Sequence, residues 1–232
     1  MRLSVIVPCH NEEDNIASVI RRIEDSLDVP HELVVVNDHS SDQTAAIVAG
    51  LSEEYKNIRL VENRSEKGFA NALRTGFASS SAEVVVPVMA DLCDDLRLLG
   101  PMLEKIDAGY DVVCASRYTK GGKRLGGSRL KGFLSCWGGR SLSFLLGLPT
   151  HDIANAFKMY RKKVLDSVKS DARGFEISME LPLKAYYAGF RITELPTTWR
   201  ERTAGRSSFK IFRLLPSYIK LYFWAISRRL KG

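Results

Sequence analysis

Short runs of β-branched and other apolar residues alternate with amphipathic stretches through the first half of this chain. The apolar runs, each about the length of a strand, are Leu3–Val7, Leu33–Val36, Ile58–Glu62, Val84–Val88 and Asp111–Ala115. Segments of about 10 to 15 residues with helical character separate them. This alternation predicts βαβ units and a mostly parallel sheet flanked by helices. A length of 232 residues suits one such α/β domain.

Polar segments follow four of these predicted strands. They are Cys9–Glu12, Asn37–Asp42, Asp91–Asp95 and Ser116–Tyr118. Because ligands of open parallel sheets bind beyond the carboxyl ends of the strands, we expect the four segments to form one binding site.

Two local features refine the prediction. Asn11 precedes the acidic residues Glu12–Asp14 and the first amphipathic stretch, so we expect it to cap the first helix. Pro87 falls inside the fourth predicted strand and lacks an N–H for the ladder. We therefore expect an edge or a bulge there.

Several of these segments together resemble a known family. The segments are Val5–Glu13, Val34–Asp42, Ala90–Leu92, Ser116–Tyr118, Asp152 with Phe157–Arg161, Gly174–Glu176, and Arg200–Lys210. In this order and spacing they are similar to inverting GT-A glycosyltransferases of family 2. The likeness is strongest to polyprenyl-phosphate sugar transferases of the dolichol-phosphate mannose synthase type, and it covers about residues 1–210.

The resemblance implies a GT-A (Rossmann-like) fold and roles for individual residues. It implies transfer of a hexose from a GDP- or UDP-sugar, with inversion, to a polyprenyl (dolichyl or undecaprenyl) phosphate. The implied catalytic residues are Asp91, Arg117 and Glu176, with Asp91 also the ligand of a divalent metal, Mg²⁺ or Mn²⁺. The implied nucleotide-sugar-binding residues are Pro8, His10, Glu12, Val36, Asp38, Ala90, Asp91, Arg202 and Lys210.

The sequence departs from the family at the metal motif. Met89 stands where the first Asp of the Asp-x-Asp motif is expected, and Cys93 replaces a Gln. Because a thioether is a poor ligand for a hard cation, three alternatives remain. Asp91 holds the metal with the diphosphate, or Asp94 or Asp95 assists it, or metal dependence is weakened. We favour a metal on Asp91.

The acceptor determines whether a general base is needed. A lipid phosphate is already an anion and needs cationic guides, whereas a sugar hydroxyl needs a base. A basic stretch supplies such guides in Arg117, Lys120, Lys123, Arg124, Arg129 and Lys131. If the acceptor is instead a hydroxyl of a lipid or glycan, Glu176 and Asp152 are the candidate bases or positioning groups.

The C-terminal segment 209–232 has the pattern of a helix lying on a membrane. A narrow polar stripe of Lys210, Arg213, Ser217 and Lys220 is surrounded by apolar and aromatic residues, and basic residues close the segment. We therefore divide the chain into a catalytic domain, 1–208, and a membrane-associating tail, 209–232. We expect a cytoplasmic protein, peripheral at the cytosolic face of a membrane. Pro216 is expected to kink the helix or start a new one.

Composition bounds the remaining alternatives. A net charge of +7 suits a phosphate-rich partner, and without a recognised nucleic-acid motif we expect no nucleic acid. The four dispersed cysteines indicate reduced thiols. The rival hypothesis is a degenerate, non-catalytic nucleotide-sugar or membrane-binding module, supported by Met89. A homo-oligomer and a membrane partner protein both remain open.

Overall fold

Strands and helices alternate along the chain as the sequence predicts. The computed structural model describes residues 1–202 and 211–231. The strands are β1 Leu3–Cys9, β2 His31–Asn37, β3 Ile58–Glu62, β4 Val84–Pro87, β5 Val112–Ser116, β6 Lys123–Leu125, β7 Lys158–Arg161, β8 Ile192–Pro196 and β9 Thr198–Arg200. The helices are α1 Ile16–Glu24, α2 Thr44–Glu54, α3 Phe69–Ser79, α4 Leu99–Asp107, α5 Arg129–Leu146, α6 Lys162–Ser167, α7 Ile177–Tyr187 and α8 Ile211–Lys231.

A seven-stranded sheet organises the molecule, in the order β3-β2-β1-β4-β7-β5-β8. All its neighbouring strands run parallel except β7, which is antiparallel to β4 and β5. The strand order reverses at β1, which lies between β2 and β4, so a crevice opens beyond their carboxyl ends. The mostly parallel α/β architecture predicted from the sequence is confirmed.

Helices cover both faces of this sheet. Alternate residues of β1 point to opposite faces, so Val5 and Val7 join one core cluster and Ile6 joins the other. The first cluster packs α1, α2 and α4 against the sheet, and the second packs α3, α6 and α7. Burial on both faces explains why the strands are continuous apolar runs.

Pro87 is the last residue of β4, in a central strand of the sheet and not at an edge. It is paired with Ile6 of β1. On the other side, pairing with β7 ends at Val85, before the proline. The proline therefore lacks its N–H at a position where β4 is no longer paired with β7. The sheet needs neither the edge nor the bulge that we predicted.

The first helix begins later than predicted. Asn15, not Asn11, precedes α1. Asn11 has a φ of 53°, and its side-chain oxygen accepts a hydrogen bond from the Ser41 N–H at 2.8 Å. Asn11 therefore connects the loop after β1 to the loop after β2, and the prediction that it caps the helix was wrong.

The C-terminal helix α8 packs on α5 and α7. A third apolar cluster joins the three helices, and Ala225 of α8 is fully buried in it. The Tyr187 hydroxyl donates to the Ala225 carbonyl at 2.5 Å, and the Tyr222 hydroxyl lies 2.9 Å from Ser141 Oγ. Pro216 lies within this helix, not at its start. Among the helices of the described ranges, none combines the length and hydrophobicity needed to cross a bilayer.

Candidate active site

The predicted strand-end segments meet at one edge of the sheet. Backbone register pairs Pro8 of β1 with Val36 of β2, and the Asp38 N–H donates to the Cys9 carbonyl at 2.8 Å. The loop after β4 leaves the sheet on the other side of β1. Pro8, Val36 and Asp38 are all buried at this edge of the sheet.

Asp38 is held in a fixed orientation by neighbouring donors. Asn63 Nδ2 donates to its Oδ1 at 2.6 Å, and the Gly68 N–H lies 3.0 Å from its Oδ2. Carboxylate oxygens can accept more than one hydrogen bond each, so Asp38 retains capacity for a nucleotide. The pattern of the sequence did not identify Asn63, although it follows β3 as Asp38 follows β2.

His10, in the loop after β1, contacts the loops after β2 and β3. Its Nδ1 is 2.7 Å from the Asp38 carbonyl, and its Nε2 is 2.6 Å from Lys67 Nζ. A lysine ammonium only donates, so Nε2 accepts and Nδ1–H donates to the carbonyl. This network brings the Lys67 cation, which the sequence analysis missed, to the predicted nucleotide loop.

Glu12 and Arg202 form an ion pair that joins distant parts of the chain. Arg202 Nη2 donates to both Glu12 oxygens, at 2.9 and 3.2 Å, and Asn15 Nδ2 adds a bond at 2.8 Å. Burial raises the pKa of Glu12 in spite of these donors, and the negative charge of Asp91 raises it further. The pair therefore lies within electrostatic reach of Asp91. Lys210 lies outside the described residues.

The loop after β4 brings two carboxylates together. Asp91 Oδ1 accepts from the Cys93 N–H at 3.1 Å, while Asp94 turns back to accept from the Met89 N–H at 3.1 Å. Burial, and then the charge of Asp91, raise the pKa of Asp94 to about 7. Burial also raises the pKa of the Cys93 thiol, which disfavours a reactive thiolate.

These residues fit a divalent cation only together with a substrate. Within residues 1–202 and 211–231, no group of three or more His, Cys, Asp or Glu side chains is arranged to hold a metal. Asp95 is engaged by Arg97 in two hydrogen bonds of 2.8 Å, whereas Asp94 responds to the charge of Asp91. Hard carboxylate oxygens completed by diphosphate oxygens and water suit Mg²⁺ or Mn²⁺.

Arg117 is fixed by a buried carboxylate. Its Nε and Nη2 donate to the two oxygens of Asp152, at 2.6 and 2.8 Å, and Nη2 also donates to Ser135 Oγ at 3.2 Å. Burial opposes the charge, but the carboxylate of Asp152 raises the pKa of Arg117. Asp152 is fully buried and serves this arginine. It is therefore poorly placed to act as the base considered above for a hydroxyl acceptor.

The Arg117 side chain still presents donors. Its Nη1 group takes part in no hydrogen bond among the described residues, so two N–H groups remain. Its charge acts on Asp94 and on Tyr218 of α8. Arg117 therefore lies within electrostatic reach of both the acidic loop and the C-terminal helix.

Glu176 lies immediately before α7. Its Oε1 accepts from the N–H groups of Arg173 and Gly174, at 3.0 and 3.2 Å. Its Oε2 is buried and has no hydrogen-bond partner. Burial raises the pKa of Tyr218, the charge of Glu176 raises it further, and Arg117 opposes the shift. Arg117 and Glu176 thus both lie within electrostatic reach of Tyr218, and Arg117 and Asp91 within electrostatic reach of Asp94.

A doubly wound sheet whose strand-end loops meet beside an acidic loop is the arrangement expected of a glycosyltransferase with the GT-A fold. The model of "Glycosyl transferase family 2" matches residues 4–169, well over half of the chain. The chain therefore belongs to glycosyl transferase family 2 and is a glycosyltransferase.

Curated relatives support this membership. The chain is 32% identical over 97% of its length to a dolichol-phosphate mannosyltransferase of Pyrococcus furiosus, of which it spans 64%. It is 29% identical over 99% of its length to a polyprenol monophosphomannose synthase of Mycolicibacterium smegmatis, covering 89% of that protein. It is 30% identical over 90% of its length to a dolichyl-phosphate hexose transferase of Haloferax volcanii, covering 87% of that protein.

Solved structures share the fold. Glucosyl-3-phosphoglycerate synthase from Mycobacterium tuberculosis, in complex with UDP, superposes with a TM-score of 0.70 at 21% identity. The match covers 98% of this chain and 80% of that one. The same enzyme has been solved with Mn²⁺, UDP and phosphoglyceric acid, with a TM-score of 0.70.

Proposed function

We propose that this glycosyltransferase moves a hexose, with inversion, from a GDP- or UDP-sugar to a polyprenyl phosphate. Mannose is the first hexose to test, because the relatives from P. furiosus and M. smegmatis are named for mannosyl transfer to dolichol phosphate or polyprenol. An undecaprenyl-phosphate mannosyltransferase of Micrococcus luteus is 26% identical over the whole chain and agrees.

The observation that carries the proposal is the geometry of Arg117. A buried carboxylate orients its guanidinium while two N–H groups stay available beside the acidic loop. A guanidinium with a pair of free donors matches a phosphate. An acceptor phosphate held there attacks as an anion, so the reaction needs no general base.

The proposed transfer requires no reagent besides the donor and the acceptor. An oxygen of the acceptor phosphate forms a bond to the anomeric carbon from the face opposite the diphosphate. The bond from that carbon to the diphosphate breaks, and its electron pair leaves on the nucleoside diphosphate. The loops after β1 and β2, with Asp38, His10 and the Glu12–Arg202 pair, hold and orient the nucleotide.

A divalent metal fits the donor side of this site. Mg²⁺ or Mn²⁺ on Asp91, with Asp94 behind it, would supply charge neutralisation for the leaving diphosphate. The fold relatives solved with Mn²⁺ or Mg²⁺ and UDP support such a cation. The residues of this chain align the two substrates and balance the charge of their phosphates.

We also propose that the protein binds the cytosolic face of a membrane through α5 and α8. Exposed apolar residues recur at intervals of three, four and seven positions along α5, at Leu130, Phe133, Trp137 and Phe144. Exposed Ile219, Phe223 and Leu230 continue the surface on α8, and Trp137 stacks on Tyr222 at 6.2 Å. Basic residues border the surface: Arg129, Lys131, Arg140, Lys220, Arg228 and Arg229. This composition suits an anionic lipid surface.

Transfer of labelled sugar to lipid tests the main proposal. Purified protein is mixed with undecaprenyl or dolichyl phosphate, GDP- and UDP-hexoses, and Mg²⁺ or Mn²⁺, with an EDTA control. We expect labelled, organic-extractable product from one donor, and its loss in Arg117→Met/Asp152→Ala, which leaves no buried charge unpaired, but not in the surface variant Arg21→Ala. Donor binding without transfer to any lipid phosphate would refute the assignment of the acceptor.

Vesicle sedimentation tests the membrane proposal separately. We expect binding to vesicles containing phosphatidylglycerol, and weaker binding to phosphatidylcholine alone because the basic border then lacks a partner. Replacing Trp137 and Phe223 by Ser should release the protein from the anionic vesicles while its circular dichroism is unchanged. Equal binding by the variant would exclude this surface.

A further inference from the structure

Glu176 carries a buried carboxylate oxygen that nothing in the described structure satisfies. The residue is 7% exposed, and Oε2 has no hydrogen-bond partner. Its sister atom Oε1 already accepts from two backbone N–H groups. A buried acceptor without a donor is costly, so an unpaired oxygen of this kind beside a substrate site indicates a missing ligand.

The neighbouring glycine, Gly174, leaves space for Oε2. A Cβ atom on Gly174 would approach Oε2 to 2.9 Å and Leu214 of α8 to 3.6 Å, so the glycine leaves room for the carboxylate. The charge of Glu176 reaches Tyr218, which also responds to Arg117. The segment before Glu176 also borders the predicted nucleotide loop, because a Cβ on Gly68, whose N–H donates to Asp38, would lie 3.6 Å from the Arg173 carbonyl.

The ligand that fits is a hydroxyl group. A phosphate would be repelled by the carboxylate, whereas a hydroxyl donates to it without a change of charge. In the proposed reaction, the hexose must lie between the diphosphate at Asp91 and the acceptor phosphate at Arg117. The sugar is thus the substrate part with hydroxyls closest to Glu176.

We propose that Glu176 Oε2 accepts a hydrogen bond from one hydroxyl of the transferred hexose and so selects the donor sugar. This inference rests on the proposed hexose transfer and changes the role of Glu176 from candidate base to sugar-selecting residue. A general base would be required only if the acceptor were a hydroxyl. With a phosphate acceptor, the hydrogen bond to the sugar explains why the Glu176 carboxylate is buried at this place.

The test is donor binding with a panel of deoxy sugars, which requires no acceptor. The donor bound most tightly among GDP-mannose, GDP-glucose and UDP-glucose is compared by calorimetry with its monodeoxy analogues and with the nucleoside diphosphate. In the wild type, removal of one particular hydroxyl should weaken binding about 10- to 100-fold, as expected for a hydrogen bond to a charged acceptor. A wild type that penalises no monodeoxy analogue would overturn the proposal.

Glu176→Gln is the most discriminating variant because its amide has nearly the same shape as the carboxylate. One side-chain oxygen must still accept from the Arg173 and Gly174 N–H groups, so the amide nitrogen takes the position of Oε2 and replaces an acceptor by a donor. We expect the penalty for that one deoxy position to fall to a few-fold at most, because the neutral amide can still donate to the hydroxyl oxygen but no longer offers a charged acceptor, while the affinity for the nucleoside diphosphate is unchanged. Glu176→Ala should behave alike, and Asp171→Asn, an exposed acid near the same helix, should match the wild type.

The remaining outcomes are also decisive. Unchanged deoxy penalties in Glu176→Gln would refute a contact with the sugar. Loss of turnover with an unchanged binding pattern would instead assign Glu176 to the chemical step. If the binding pattern is as expected but no polyprenyl phosphate is glycosylated, the acceptor proposal fails and the role of Glu176 stands.

Discussion

Removal of the Asp152 carboxylate should destabilise the protein severely, because it leaves the Arg117 guanidinium without its anion. Asp152 is fully buried, the Arg117 side chain is 13% exposed, and the nearest distance between them is 2.6 Å. Breaking a buried pair by deleting one partner costs about 3–5 kcal/mol. For a domain of this size, that loss corresponds to a decrease in Tm of about 6–20 °C.

Urea unfolding of Asp152→Ala, followed by circular dichroism at pH 7, measures this effect. The double variant Arg117→Met/Asp152→Ala should regain much of the lost stability, since it no longer buries an unpaired charge. The double variant should nevertheless lack transferase activity, because the phosphate-binding donors are gone. A single variant within about 1 kcal/mol of the wild type would refute the argument that Asp152 balances the buried charge.

Three further changes test other parts of the structure. Asp91→Asn should reduce transfer about 100-fold or more with an unchanged unfolding transition, and full activity would remove Asp91 from the site. Burial alone would raise the pKa of Glu32, but hydrogen bonds from Ser4, Ser81 and Arg59 outweigh it and lower the pKa to about 2. The contribution of Glu32 to the free energy of unfolding is therefore present above about pH 4.5 and lost as the pH falls toward 2. The stability advantage of the wild type over Glu32→Gln should thus shrink by up to about 3 kcal/mol in acid urea titrations, and a constant difference would contradict this. Gly139→Ala would make a Cβ clash with the His151 carbonyl, so a loss of more than about 1 kcal/mol in urea unfolding is expected, and an unchanged midpoint would refute this close packing.

The sequence predicted those parts of the site that depend on local pattern. Apolar runs identified the parallel strands, and polar residues at their ends identified Asp38 and Asp91. The same rule applied to β3 would have included Asn63 and Lys67, which contact Asp38 and His10. The sequence therefore carries a signal for these two residues as well.

Other features could not be predicted because they depend on long-range packing. The strand β7 enters the sheet between β4 and β5, and its four residues carry no mark of that position. The ion pair of Glu12 with Arg202 joins residues 190 positions apart. Asp152 was considered as a base because an acid near a site has many possible roles, and only the contact with Arg117 selects among them.

The C-terminal helix connects the proposed membrane surface to the proposed chemistry. Tyr218 of α8 lies within electrostatic reach of Arg117 and Glu176, while Phe223 on the same helix is exposed. A polyprenyl phosphate has a charged head and a long apolar chain, so its two ends require these two environments side by side. If both proposals hold, vesicle binding should lower the KM for polyprenyl phosphate and leave donor affinity unchanged, since the donor loops lie at the edge of the central sheet. A membrane effect on donor affinity alone would contradict this division of the molecule.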